Sequence, residues 1–250
     1  MSLYEAFEPI VKMRAPAVRM LSDIKGLLYD SEWSKTAPDM DLYYMYNDVA
    51  LSEGDRQLIL NQGLRFDVTI IPPLKLGTEP VKTAGHYHPL VEKTGITYPE
   101  IYEVLEGRAH FLLQCGDPGS ISDVIFIDAA EGDKVIIPPN YGHVMVNPGQ
   151  DVLVLSDWVF RGFKSIYDTY VSCGGAAYFE LTGGELVPNG KYGEPPAIRF
   201  LEPTNFAEVG LSKDRGMYDL VGDIEKLGYL KRPQDYGWLW NKILGKDATK

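Results

Sequence analysis

The chain has 250 residues, 45% of them hydrophobic, with 24 Lys and Arg against 35 Asp and Glu, a formal charge of −11. Such a length and apolar content support one sizeable core with room for an appendage. The acidic balance argues against nucleic acid and anionic membrane as partners, and any anionic substrate would need a local cationic spot.

Residues 1–40 are mixed in character. The opening MSLYEAFEPIVKMRAPAV lacks an apolar core long enough for a signal peptide, and no apolar run anywhere reaches membrane-spanning length. VRMLSDIKGLLYD, Val18 to Asp30, is spaced as a short helix or an extended arm. From Leu42 the pattern turns to short runs rich in Tyr, Val and Ile. The predicted strands are LYYMYNDVA, LRFDVTII, KTAGHYH, EIYEVLEG, RAHFLLQ, DVIFIDA, DKVIIP, HVMVN, DVLVLSDWVF and AAYFELTG, separated by turn signals such as PPLKLGTEP, CGDPGS and PPNYG. EIYEVLEGRAHFLLQ predicts a hairpin with Glu106-Gly107 at its tip. Many short, evenly spaced strands imply an antiparallel sandwich or barrel. Cys115 and Cys173 match no metal or redox spacing, as expected of reduced thiols in a cytoplasmic protein.

Beyond Pro188, KYGEPPAIRFLEPTN predicts a surface linker. MYDLVGDIEKLGYL and PQDYGWLWNKILG predict short amphipathic helices, the second opening with Pro233 and offering Trp238, Trp240, Ile243 and Leu244 as one apolar face. The expected organisation is an N-terminal arm (1–40), a barrel (41–187) and a C-terminal extension (188–250) packed on the barrel or on a partner subunit.

Two of the four histidines, His86 and His88, alternate within KTAGHYH. On a strand, residues two apart share a face, so both imidazoles aim into one space. Inward imidazoles carry polar groups that must be engaged, and a metal ion engages them well. His143, in IIPPNYGHVMVN, follows a Pro-Pro turn and can face inward from a neighbouring strand. Three His and a carboxylate around a divalent first-row metal leave open positions for substrate oxygens. His110 breaks no pattern and is left out of the set.

These segments resemble the two cupin signatures. His86-Tyr87-His88 matches the first, and Glu100 is followed by Gly107 at the signature's spacing; Gly132, Pro138, His143 and Asn147 match the second, with Asn140 at the usual glycine. The resemblance implies an all-β cupin double-stranded β-helix, a jelly-roll barrel. Eleven residues separate His88 from Glu100, more than the signature has, and Glu92 sits at the commoner distance. VEKTGITYP around Glu92 reads as a loop, whereas Glu100 opens a strand, so Glu100 is the better ligand.

Pro73, Gly77 and Glu79, then Thr83, Gly85, His86 and His88, then Glu100 and Tyr102, then Pro138, Pro139, His143 and Asn147 form a pattern similar to that of the cupin-type phosphoglucose isomerases of archaea. The likeness spans roughly residues 15–185, and VRMLSDIKG adds to it. It implies metal-dependent interconversion of glucose 6-phosphate and fructose 6-phosphate, with His86, His88, Glu100 and His143 as metal ligands and Glu100 as acid/base. It also implies Thr69, Thr83, Gly85, Tyr102 and Tyr167 as substrate contacts. A cis-enediol route and a metal-assisted hydride shift both fit. The ligand set suits Fe(II), Zn, Ni, Mn or Co, the resemblance favouring Fe(II). Lys75 and Lys82 are the nearest candidate cations for the phosphate, and Ser165 stands where some relatives carry a histidine. A homodimer is expected, since open sheet edges are commonly covered by a partner. The rival readings are another metal-dependent cupin enzyme, an oxygenase or a mannose-6-phosphate isomerase, and a non-catalytic sugar-phosphate binder.

Overall fold

A computed structural model describes residues 4–245. Among them the strands are β1 (Ala17–Met20), β2 (Asp41–Tyr46), β3 (Leu64–Ile71), β4 (Lys75–Leu76), β5 (Glu79–Pro80), β6 (Glu100–Glu106) and β7 (Arg108–Cys115). They continue as β8 (Asp123–Ala130), β9 (Lys134–Ile137), β10 (Tyr141–Val146), β11 (Leu153–Phe160), β12 (Tyr178–Glu180), β13 (Leu186–Pro188) and β14 (Arg199–Leu201). One sheet runs β1-β2-β3-β11-β6-β9 and a second β10-β7-β8-β14. Every pairing in them is antiparallel except that of β14 with β8.

The two sheets form a double-stranded β-helix of the cupin kind, as two open sheets rather than one closed barrel. Between them lies a core that draws Leu42, Ile71, Val104 and Leu155 from the first sheet and Phe111, Leu113 and Ile125 from the second. Alternation along each strand sends half of its side chains there. The other face of the six-stranded sheet buries Phe66, Val68, Ile101 and Trp158 against Met217, Tyr218, Leu220 and Leu230. Phe66 meets Trp158 and Tyr218 edge-on, with centroids 4.9 Å apart in each pair. β6 and β11 are therefore covered on both sides, and both are buried along nearly their whole length, the glutamates of β6 included.

The predicted hairpin EIYEVLEGRAHFLLQ does not form: β6 and β7 belong to different sheets. Gly107 carries the chain across at φ 85°, and a Cβ there would stand 2.7 Å from the Val152 carbonyl oxygen. Only glycine accepts both conditions. The hairpin partner of β7 is instead β8.

KTAGHYH is likewise no regular strand but an irregular segment held by isolated bridges, Lys82 to Val146, His86 to His143 and Tyr87 to Ile166. Gly85, at φ 71°, breaks the strand geometry, and a Cβ there would meet the Tyr170 ring at 2.6 Å and Val144 Cγ2 at 2.7 Å.

After Pro188 the expected linker contains β14. Met217–Leu230 is a 3-10 stretch kinked at Asp223, and Gly237–Ile243 is an α-helix preceded by the 3-10 turn Pro233–Tyr236. The expected apolar face is corrected in one place: Trp238 is exposed, and Leu239 is buried instead. The Trp240 indole donates to the Pro233 carbonyl at 2.7 Å, which fixes this helix on its own turn. No described helix is long and apolar enough to cross a membrane.

Candidate functional site

His86, His88, Glu100 and His143 come together, one ligand atom of each lying within 4.8 Å of the others. The backbones of His86 and His143 exchange hydrogen bonds, His86 N–H to His143 O at 3.2 Å and His143 N–H to His86 O at 3.0 Å. That bridge does what a regular strand was expected to do, placing the H-x-H segment beside β10. Glu100 opens β6 and aims inward from the opposite sheet.

Glu100 Oε2 lies 3.2 Å from His143 Nε2 and 3.4 Å from His88 Nε2, and the Nε2 atoms of His86 and His88 are 3.2 Å apart. His88 Nδ1 sits 2.9 Å from the Tyr98 carbonyl, an acceptor that fixes the proton on Nδ1 and leaves the Nε2 lone pair facing the cluster. Among the described residues, no hydrogen bond reaches Glu100 Oε2. Three imidazoles and a buried carboxylate with an orphaned oxygen are a donor set that a divalent cation satisfies. Glu92, the acid at the shorter spacing, is exposed beside Lys93.

The cluster lines a cavity of about 220 Å³ whose walls also include Thr69, Thr83, Tyr102, Ser165 and Tyr167. The Tyr102 hydroxyl is 3.3 Å from His143 Nε2, and the Tyr167 ring centroid is 5.5 Å from that of His86. The Thr83 hydroxyl accepts the Met145 N–H at 3.0 Å and donates only to the soft Met145 Sδ at 3.9 Å, a weak acceptor that a ligand oxygen could replace. Gly85 is outside the cavity lining; the close Tyr170 and Val144 contacts explain its lack of a side chain. His110 is remote from the cluster, its Nδ1 2.7 Å from Glu180 Oε1.

The cations are not those expected. Lys82 is buried in an ion pair with Glu79, and Lys75 is exposed outside the cavity. Arg19 and Arg65 line the cavity instead. Arg19 Nε is buried with no hydrogen-bond partner among the described residues, and its guanidinium stands 5.7 Å from the Tyr167 ring centroid. Tyr43, whose hydroxyl accepts the Ala84 N–H at 3.2 Å, and the acids Asp67 and Asp157 complete the additions. A signal for the acids was present in the sequence: LRFDVTII and DVLVLSDWVF each carry an Asp inside an otherwise apolar strand.

Burial and charge set the protonation states. Burial pushes the Glu100 pKa up, but His143, His88 and His86 outweigh it and hold the group well below the ordinary carboxylate range. Burial pushes His88 down to about 4 and His86 far below its usual value, so both are neutral, as ligands must be. Burial, reinforced by Glu100 and Asp157, lifts Tyr102 well above the usual phenol value, and it remains a donor. Burial lifts Asp67 to about 7 against the pull of Arg65, and burial also lifts Asp157 well above the usual carboxylate range, with Asp67 and Glu100 adding to the shift.

Comparison with known proteins gives this geometry its context. The family model described as glucose-6-phosphate isomerase (GPI) matches residues 18–196. The chain belongs to the glucose-6-phosphate isomerase family. It is 31% identical to the glucose-6-phosphate isomerase of Thermococcus litoralis over 141 residues, which cover 56% of this chain and 67% of the relative. With the Pyrococcus furiosus enzyme the identity is 28% over 145 residues, 58% of this chain and 70% of the relative. Among solved structures, Lactobacillus farciminis oxalate decarboxylase in a formate complex aligns with TM-score 0.36 at 17% identity, over 50% of this chain and 31% of its own. An oxalate oxidase bound to the substrate analogue glycolate gives TM-score 0.36 and 17% identity, over 50% of this chain and 54% of its own. The match to the glucose-6-phosphate isomerase family contains all four cluster residues and stops short of Met217–Leu230, the segment that covers the outer face of the six-stranded sheet.

Proposed function

We propose that this protein is a metal-dependent aldose–ketose isomerase interconverting glucose 6-phosphate and fructose 6-phosphate, with Glu100 as the acid/base. The observation that carries the reading is the convergence of three imidazoles and Glu100 on the wall of a cavity that also presents cationic and hydroxyl groups. His86, His88, His143 and Glu100 would hold the ion, Fe(II) being favoured over Zn, Ni, Mn or Co. Bound there, it would act as a Lewis acid toward the O1 and O2 oxygens of the open-chain sugar.

The phosphate is assigned to the end of the cavity bearing Arg19, Tyr43, Thr69, Thr83 and Tyr167. Arg19 Nε, a buried donor without an acceptor, is suited to an anion. Anchored there, the sugar presents C1 and C2 to Glu100. Its carboxylate takes the proton from C2 of the aldose and returns it to C1, through a cis-enediol. Tyr102, kept as a phenol, donates to a sugar oxygen. A carboxylate tied to a cation is a weak base, so Glu100 would serve as acid/base only if an ion at this site held it loosely.

We propose further that the chain works as a cytoplasmic homodimer and is organised as an arm (1–40), a barrel (41–187) and an extension (188–250). β1, which ends the six-stranded sheet, is the open edge that supports a partner. The central test is a coupled assay for glucose 6-phosphate formed from fructose 6-phosphate, run after EDTA and again with single metals restored. Turnover that returns with a divalent ion is expected; its absence with every metal would overturn the reading. Deuterium from solvent appearing at C1 or C2 is expected of proton transfer, and complete retention of substrate hydrogen would instead select a hydride shift.

A further inference from the structure

We propose that Arg65, Asp67 and Asp157 form a hydroxyl-binding subsite that reads the polyol chain of the substrate beside the reacting carbons, an inference that rests on the isomerase reading. Asp67 and Asp157 are register partners on β3 and β11, and Asp157 is in turn opposite Tyr102 on β6. Both line the cavity, although they are only 4% and 5% exposed. Arg65, two residues before Asp67, shares its face and lines the cavity as well.

The two acids have different tasks. Asp67 is engaged on both oxygens: its Oδ1 accepts the Asp48 N–H at 2.8 Å, and its Oδ2 is ion-paired with Arg65, 2.6 Å from Nε. It is a positioning residue that fixes the guanidinium. Asp157 Oδ2 is buried and accepts no hydrogen bond among the described residues. An acceptor held in that state is costly, and Asp is a poor strand former, so neither packing nor propensity accounts for it. A ligand donor would.

The pairing of groups defines that ligand. Arg65 can only donate, and Asp157 offers an acceptor; a hydroxyl does both and can bridge them. A phosphate is anionic and would meet the ionised Glu100 beside Asp67 and Asp157, the three acids of the lining. The subsite therefore takes a sugar hydroxyl, and the phosphate is directed away from it, toward Arg19.

The test uses the full-length, metal-loaded protein and two probes: glucitol 6-phosphate, a polyol that cannot isomerise, and inorganic phosphate. Titration calorimetry is run on the wild type, Asp157→Ala and Asp157→Asn, with thermal unfolding measured in parallel. Asp157→Ala is expected to weaken glucitol 6-phosphate by about three- to tenfold, the loss typical of one hydrogen bond to an uncharged group. Phosphate affinity should stay within about twofold, and Tm should hold or rise, because a buried polar group with an unpartnered oxygen has been removed. Equal effects on both probes, or none on glucitol 6-phosphate, would overturn the subsite. A fall in Tm with unchanged binding, or failure of both variants to fold, would make Asp157 a structural residue and overturn it too. Wild-type turnover in the coupled assay is scored separately, so a protein that binds polyol through Asp157 yet does not isomerise refutes only the functional reading.

Discussion

Replacing Glu100 with Gln is the sharpest perturbation of the proposed chemistry. The amide keeps the size of the side chain and an oxygen near the His88 and His143 Nε2 atoms, which lie 3.4 and 3.2 Å from Glu100 Oε2. It removes the negative charge and the basicity. Losing a positioned acid/base costs about 10²–10⁴ in rate, which corresponds to about 2.7–5.4 kcal/mol in the barrier. The phosphate end is untouched, since Arg19, Thr69 and Thr83 are separate wall residues, so the loss should fall on kcat, with KM changed less than about threefold. The three imidazoles should retain the ion, more weakly than before. The measurement is the coupled assay on both substrates, paired with metal analysis of the same sample. Full turnover in Glu100→Gln with one metal still bound per chain would refute the acid/base assignment; lost turnover in a sample that had also lost its metal would call for repeating the assay at saturating metal.

Further consequences concern stability and metal linkage. EDTA treatment should abolish turnover and lower Tm, because an ion at 100 times its Kd contributes about 2.7 kcal/mol to the folded state; an unchanged Tm would argue against occupancy of the His/Glu cluster. Asp67, raised from 3.8 to about 7, keeps its proton in the folded chain after the unfolded chain has released it. Its contribution to stability is therefore lost as pH rises between about 4 and 7. The metal-free Asp67→Asn variant should gain stability relative to wild type across that window, as followed by urea denaturation; a gap that narrows with rising pH would contradict the sign. Lys134→Met strands the carboxylate of Glu103, which pairs with Lys134 at 2.9 Å where both side chains are 1% exposed. A broken buried pair costs about 3–5 kcal/mol, and Tm should fall by roughly 6–20 °C for a chain of this size; a Tm within about two degrees of wild type would show the pair to be dispensable.

The sequence carried the strands and the ligands better than it carried the connections. LRFDVTII and DVLVLSDWVF announce β3 and β11 because a sheet buried on both faces needs apolar side chains in both directions. EIYEVLEGRAHFLLQ misled for a physical reason: a glycine between two apolar strands serves a hairpin and a sheet-to-sheet crossover equally well, and the choice depends on the distant Val152 carbonyl against which Gly107 packs. His86 and His88 were correctly paired, though not through strand alternation. The segment is irregular, and the backbone exchange with His143 and the Tyr98 carbonyl orient the rings. Asn140, at the position where the cupin signature has glycine, adopts φ 72°, a conformation asparagine tolerates, and its side chain accepts the Thr97 N–H at 3.0 Å. The cavity cations were missed because Lys75 and Lys82 are close in sequence, whereas Arg19 reaches the cavity through the pairing of β1 with β2.

The alternation of β6 ties the C-terminal segment to the site. Glu100 and Tyr102 line the cavity, while Ile101 packs with the outer cluster and Glu103 serves that same side. Glu103 accepts the Met217 N–H at 2.7 Å, and the Trp158 indole donates to the Met217 carbonyl at 3.1 Å, so one residue of the cover clamps β6 and its neighbour β11. Lys134, on β9 beside β6, completes the clamp by donating to the Ser212 carbonyl at 2.8 Å. The proposed role of Glu100, facing two imidazoles and a sugar carbon, would need a strand that does not slide, because misplacement by about an ångström is enough to cost a hundredfold in rate. The segment past the family match thus bears on the site by fixing the register of the strands that carry Glu100, Tyr102 and Asp157, although none of its own residues lines the cavity.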